Sequence, residues 1–222
     1  TYMRVTGPVE ISAELFDIRF EFTEPTVVEI GFRSRHTRPA ATITTTAAPT
    51  DVMTAISQLG SALKSTSPEH SFPTLRGHPP RIELGDSLDI PASVERPETG
   101  IRIELPPSFE WIYPAAPLAY YLGAKIAPSR TAQIRTDSGF TYEFDASAFE
   151  RDVEQTIKRV FLLDCVTRTE GFYNIALHER TALDESVQLD WDTLYGKPLG
   201  ERLESYLDVP YELLAEHVPQ WR

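Results

Sequence analysis

An α+β fold is predicted for this chain, with an N-terminal antiparallel β part, a mixed α/β middle and a helical C-terminal third. Three patterns predict it. Apolar and polar residues alternate through most of Tyr2 to Thr45, short strand-like runs flank one helical segment between Arg81 and Phe144, and apolar residues recur at helical spacing after Ser147. Two parts are expected: residues 1–48, β-rich and continuing upstream, and residues 49–222, an α/β part ending in helices.

In the first part the alternating runs are 2–5, 9–12, 16–22, 27–32 and 41–45, separated by Gly7-Pro8 and Glu24-Pro25. Short turns between period-two runs predict antiparallel strands with one buried face. Thr50 is then the expected cap of a helix, with Asp51 in its first turn and Val52, Ile56, Leu59 and Leu63 as its apolar stripe. The sixteen residues 65–80 hold four prolines and one glycine and predict a loop, with Phe72 and Leu75 anchored and Arg76 and His78 near the surface.

Strands are expected at 81–84 and 101–105, with 90–100 as a connection and 106–112 as a stiff aromatic one. A helix over 113–122 carries Pro114 in its first turn and stops at Gly123. Strands at 125–127, 133–135 and 140–144 follow, the last two joined by the hairpin signal Asp137-Ser138-Gly139. Ser147 and Glu150 form a capping box for a long helix with Phe149, Val153, Ile157, Val160, Phe161, Leu163 and Cys165 on its stripe. Further helices are expected over 173–180, 199–206 and 211–218.

Charge bounds the function. The 222 residues hold 33 Asp and Glu against 21 Lys and Arg, a formal −12, and only four of the cations are lysines (Lys64, Lys125, Lys158, Lys197). This balance suits concentrated salt, where the Debye length falls to about 3 Å at 1 M and self-repulsion is screened. It argues against a general nucleic-acid binder, whose affinity comes from a basic face. No apolar run approaches the roughly 20 residues of a membrane span. A cytoplasmic location without membrane or nucleic-acid partners is expected.

The candidates for chemistry are few. Cys165 has Asp164 beside it and His178 thirteen residues on, but lies on an apolar stripe, where a cysteine acts as a small hydrophobe. The five histidines (His36, His70, His78, His178, His217) show no i,i+4 pair and there is no CxxC, although His70 and His78 share one loop. No Gly-rich phosphate loop occurs, and no cofactor or metal is expected. Arg33, Arg35, His36 and Arg38 crowd one strand end, and Arg76 and His78 lie in the long loop. Arg168 and Arg180 flank the helix expected over 173–180. These cations either clamp an anionic partner or pair with local carboxylates. Arg35, His36, Arg38, Arg76 and His78 are the candidate binding residues. Carboxylate pairs such as Glu21/Glu24, Asp184/Glu185 and Asp190/Asp192 read as solvated surface.

Four stretches carry a resemblance: residues 34–42 (Ser-Arg-His-Thr-Arg-Pro-Ala-Ala-Thr), Ser61-Ala62-Leu63-Lys64 running on to Gly77-His78-Pro79-Pro80, residues 113–124 (Tyr-Pro-Ala-Ala-Pro-Leu-Ala-Tyr-Tyr-Leu-Gly-Ala), and residues 161–173 (Phe-Leu-Leu-Asp-Cys-Val-Thr-Arg-Thr-Glu-Gly-Phe-Tyr). Together they resemble the upstream region of large uncharacterised proteins of halophilic archaea that are similar to CHAT-type, caspase-like domain proteins. The resemblance implies a longer parent whose caspase-like His and Cys lie downstream, so that no catalytic residue is carried over onto this segment. The function expected is a non-catalytic scaffold, sensor or interaction region, bound to other domains of its parent or to a protein partner. The alternative is a small-molecule or nucleotide-type binding or hydrolytic domain built on the α/β middle.

The charge balance makes a direct prediction. The thermal unfolding midpoint rises as KCl is raised from millimolar to molar, because repulsion among the carboxylates is screened. A midpoint that stays level or falls across that range contradicts the halophilic reading.

Overall fold

The structure, a computed structural model, describes residues 2–13, 17–31, 39–171, 175, 177–184 and 186–218. The chain divides into two compact units, Thr1–Arg35 and His36–Arg222.

In the first unit, β1 (Tyr2–Val5), β2 (Val9–Ala13), β3 (Ile18–Phe22) and β4 (Val28–Gly31) follow one another. β2 and β3 form an antiparallel hairpin nested inside the antiparallel pair of β1 and β4. The expected antiparallel strands are present. Cross-strand partners match apolar with apolar: Met3 with Ile30, Val5 with Val28, Val9 with Phe22, Ile11 with Phe20, Ala13 with Ile18. The expectation of a buried face is corrected, since Ile11 is 61% and Ile18 64% exposed. Two-stranded ladders have no second layer of their own to cover a face.

The second unit opens with β5 (Thr42–Thr45), α1 (Pro49–Ser57) and β6 (Arg81–Leu84). β5 pairs with β6 in parallel, so it belongs to this unit and not to the antiparallel part, and the division falls before it and not at 48/49. A parallel partner must be reached by a crossover, here α1 and the segment after it. α1 is capped from Ala48, not Thr50; Thr46 instead ties the turn, its Oγ1 donating to Asp51 Oδ2 at 2.6 Å and accepting from the Ala48 amide at 3.1 Å.

Next come β7 (Ile101–Leu105), α2 (Phe109–Leu122), β8 (Lys125–Pro128), β9 (Gln133–Thr136) and β10 (Thr141–Glu143). They make a four-stranded sheet of order β10-β9-β7-β8, with β7 and β8 parallel across α2 and the other pairs antiparallel. Ile103 lies between Ile126 and Ile134 across the sheet, and all three are buried, each contributing about 1.5–3 kcal/mol of transfer free energy. α2 starts at Phe109, earlier than expected, with Pro114 and Pro117 inside it. The carbonyls those prolines leave without a helical donor belong to the exposed residues Glu110 and Tyr113, where water can serve them. Gly123 caps the helix in the left-handed conformation, φ +56°, as its position predicts.

The helical third holds α3 (Phe149–Thr167), α4 (His178–Asp184), α5 (Trp191–Gly196) and α6 (Leu199–Leu207). The Ser147–Glu150 capping box does not form. Ser147 bonds Asp145, whose amide donates to Asp152 Oδ2 at 2.8 Å, and Ala148 is the cap residue. α5 is absent from the expected elements; Asp190 caps it by accepting from the Thr193 amide at 3.1 Å. The helix expected over 173–180 is α4, displaced later, and 173, 174 and 176 lie outside the described residues. Of the helix expected over 211–218, one 3-10 turn at Tyr211–Leu213 is found. α2 and α3 pack together, with Ile112, Leu118, Leu122, Val160, Leu163 and Leu203 fully buried in one core. No helix among the described residues is long and apolar enough to cross a membrane.

Candidate functional site

The most concentrated polar chemistry lies inside the second unit, on α3. Its inward stripe runs Val153, Thr156, Val160, Leu163, Thr167, and Asp164 sits on the same face with no solvent exposure. An ionised carboxylate taken from water into such a place costs several kcal/mol unless donors replace its hydration. Four donors do so. His70 Nε2 at 2.9 Å and the Tyr121 hydroxyl at 3.0 Å bond Oδ2; Arg202 Nε at 3.0 Å and the Tyr206 hydroxyl at 3.2 Å bond Oδ1.

The four donors arrive on three separate pieces of chain. Tyr121 ends α2 and Arg202 and Tyr206 are one turn apart on α6. His70 comes from a 3-10 turn, Pro68–Ser71, within the segment expected to be a structureless loop. That segment also holds a second 3-10 turn, Pro73–Leu75. A bridge between Leu63 and Arg76 closes its ends.

The remaining polar groups are arranged around the carboxylate. Arg202, itself fully buried, donates Nη1 to Lys197 O and Nη2 to Thr66 O, both at 2.9 Å. Tyr206 has one hydroxyl proton; given to Asp164, it leaves Thr167 Oγ1, 2.6 Å away, as donor to the Tyr206 oxygen. His70 meets the Tyr121 ring edge-on at 4.4 Å, and its Nδ1 has no hydrogen-bond partner among the described residues. Burial pushes the Asp164 carboxyl up, but His70, Arg202 and Tyr121 outweigh it and hold the pKa below the usual aspartate value. Burial, reinforced by the Asp164 charge, raises the Tyr121 and Tyr206 hydroxyls well above the ordinary tyrosine value.

Of the expected site residues, Arg76 and His78 are described. Arg35, His36 and Arg38 lie outside the described residues. Arg76 is half-buried. It donates Nη1 to His70 O at 2.6 Å, and its guanidinium lies 5.8 Å from the Tyr121 and Phe161 ring centres, so it braces the turn that carries His70. His78 is exposed, its Nδ1 donating to Pro79 O at 2.9 Å. Phe72 and Leu75 are half-buried, and Arg168 stacks 3.8 Å over the Phe72 ring while donating to Ser71 Oγ at 2.7 Å. Arg180 pairs with Glu170 at 2.6 Å and Asp184 at 3.1 Å, the local-carboxylate reading of that arginine. Asp184 also accepts from Trp191 Nε1 at 2.7 Å, so it is a structural group and not merely solvated surface.

Cys165 is not one of the donors to Asp164; its thiol lies beside Ser71, next to the turn that carries His70. It is half-buried, and burial pushes its thiol pKa up, so the thiolate that nucleophilic chemistry needs is disfavoured. Asp164, its sequence neighbour, is spent on the network.

Sequence reasoning missed Arg202 and the roles of His70 and Asp164. The available signal was charge out of phase: Asp164 and Arg202 each fall on the apolar stripe of a helix, where a charge needs a buried partner.

On the surface, an open trough of about 690 Å³ lies where the first turns of α2 and α3 meet, with Trp111 and Phe149 as its apolar wall. Glu110, Glu150, Glu154 and Arg151 are its charged groups. Comparisons of the chain with known protein families, with curated proteins and with solved structures return no match.

Asp164→Asn keeps the shape and leaves the Arg202 charge uncompensated, so denaturant titration at neutral pH shows a loss of about 3–5 kcal/mol. The native pKa of Asp164 is depressed, so its contribution is complete above the unfolded-state value of about 3.9 and is lost as pH falls through the native one. The variant therefore loses less stability than the wild type on acidification below that value. A loss under about 1 kcal/mol contradicts the assignment of Asp164 as the central acceptor.

Proposed function

We propose that this chain is a non-catalytic interaction region of a larger acidic protein, with the first unit as a docking element. One observation carries the reading: the β2–β3 ladder leaves a matched apolar face, Ile11 opposite Phe20 and Ala13 opposite Ile18, largely in solvent. An exposed apolar face flanked by unpaired sheet edges is a template on which another chain can pair. The strongest polar cluster of the second unit points the same way, since Asp164, His70 and Arg202 are fully enclosed and serve as structural partners for one another. The resemblance to the upstream region of halophilic CHAT-type proteins supports a parent chain or a protein partner as what docks, in a salt-rich cytoplasm.

A second reading, small-molecule binding or hydrolysis, is favoured by the trough at the first turns of α2 and α3, since α2 follows β7 directly and ligands of α/β sheets gather at such strand ends. Glu110, Glu150 and Glu154 against the single Arg151 make it a poor host for nucleotides or other anions.

Carbene footprinting tests the docking reading. Ile11, Ile18 and Ile30 label strongly in the purified chain and are protected in the cell that makes the protein. Equal labelling in both settings contradicts it.

A further inference from the structure

The first unit carries an inference about the chemistry of its partner, which rests on the reading of that unit as a docking element. β2 and β3 each have one partner strand, so the outer edge of each is unpaired among the described residues. A lone two-stranded ribbon is marginal in water, whereas a third strand makes a ladder with an apolar face self-supporting. The two faces of this ribbon differ sharply. One holds Val9, Ile11, Ala13, Ile18, Phe20 and Phe22; the other holds Glu10, Ser12, Arg19 and Glu21.

On the polar face Glu10 stands directly opposite Glu21, and both are exposed. Like charges in facing positions destabilise a ladder. No ion pair relieves either carboxylate among the described residues, although Arg4 and Glu29 pair at 3.7 Å in the neighbouring ladder. A strand laid along the edge of the ribbon alternates its side chains between the same two faces. Its apolar residues would widen the Ile11–Phe20 face, and its alternate residues would stand beside Glu10 on the β2 edge, or beside Glu21 and Arg19 on the β3 edge. Cations at those alternate positions would remove the repulsion.

A second copy of the chain fits less well. Five residues per strand give a face about 17 Å long and roughly 10 Å wide, far below the ~800 Å² per partner of a stable interface. Each copy would also bring a formal −12.

We propose that the β2–β3 ribbon takes up, as a third strand, an extended segment of a partner protein in which apolar residues alternate with lysine or arginine. Binding is by addition to the sheet edge: main-chain hydrogen bonds hold the segment, and the alternation of its side chains selects it.

Two synthetic peptides serve as probes, one alternating valine with lysine, the other valine with glutamate, with fluorescence anisotropy as the readout. The lysine peptide binds the full chain at least tenfold more tightly than the glutamate peptide. On binding it slows hydrogen exchange along one outer edge of the ribbon. Glu10→Lys with Glu21→Lys reverses the preference, a gain that a merely unfolded variant cannot mimic. Ile11→Thr with Ile18→Thr, exposed changes to a good strand former, weakens binding of the lysine peptide by at least tenfold. Equal binding of the two peptides, an unchanged preference after charge reversal, or indifference to the threonine changes overturns the proposal. So does a concentration-dependent dimer in sedimentation that the threonine changes abolish. If the isoleucines are protected in cells while the peptides bind alike, strand addition falls and the docking reading stands; if they are never protected, the docking reading itself falls.

Discussion

A carboxylate with no access to water is the constraint on which the second unit depends. Asp164 can remain ionised inside the core only while His70, Tyr121, Arg202 and Tyr206 all point at it. Those groups lie on a 3-10 turn, on α2 and on α6, so satisfying one charge fixes the mutual positions of three parts of the chain around α3. Apolar packing among Leu163, Leu118 and Leu203 would tolerate many small adjustments. The hydrogen bonds would not, because a displaced donor leaves a buried charge or a buried acceptor unpaired.

The segment after α1 shows what this achieves. Pro68, Pro73, Pro79 and Pro80 prevent ordinary helix or strand there but also restrict the unfolded chain, which lowers the entropy cost of ordering it. Arg76, Arg168 and Arg202 then grip it through His70 O, Ser71 Oγ and Thr66 O. These three arginines are committed to main-chain, hydroxyl, ring and carboxylate contacts within the unit. The division of labour between the units follows. The second spends its polar groups on internal order, whereas the first leaves apolar side chains and sheet edges open.

Much of the architecture was legible in local pattern. Ile101, Ile103 and Leu105 alternate as a strand must, Gly123 ends α2 as its freedom allows, and Leu199, Leu203 and Tyr206 mark α6. What was hidden depends on distant residues. The parallel partner of β5 lies across α1 and three 3-10 turns, and nothing in Thr42–Thr45 itself tells parallel from antiparallel. The apolar alternation of the first unit correctly gives ladders but cannot say whether anything covers them. The polar core was hidden most deeply: Asp164 and Arg202 broke their helical stripes visibly, but their shared acceptor–donor geometry with His70 links positions too far apart for spacing to suggest. Arg76 was singled out for its charge, and its place beside His70 comes from the fold.

Native-state hydrogen exchange followed residue by residue tests the central claim most directly, because it measures whether the turn bearing His70 opens with the helices or apart from them. The amides of His70, Phe72 and Gly77, which donate to Ser67 O, Glu69 O and Ala62 O, are protected by the fold. The account predicts that they exchange with an opening free energy close to that of the amides of α3 around Asp164, and that Asp164→Asn lowers both together. Exchange of the 65–80 amides within seconds in the wild type, with α3 still protected, would show that the turn is not held by the buried carboxylate and would contradict the account.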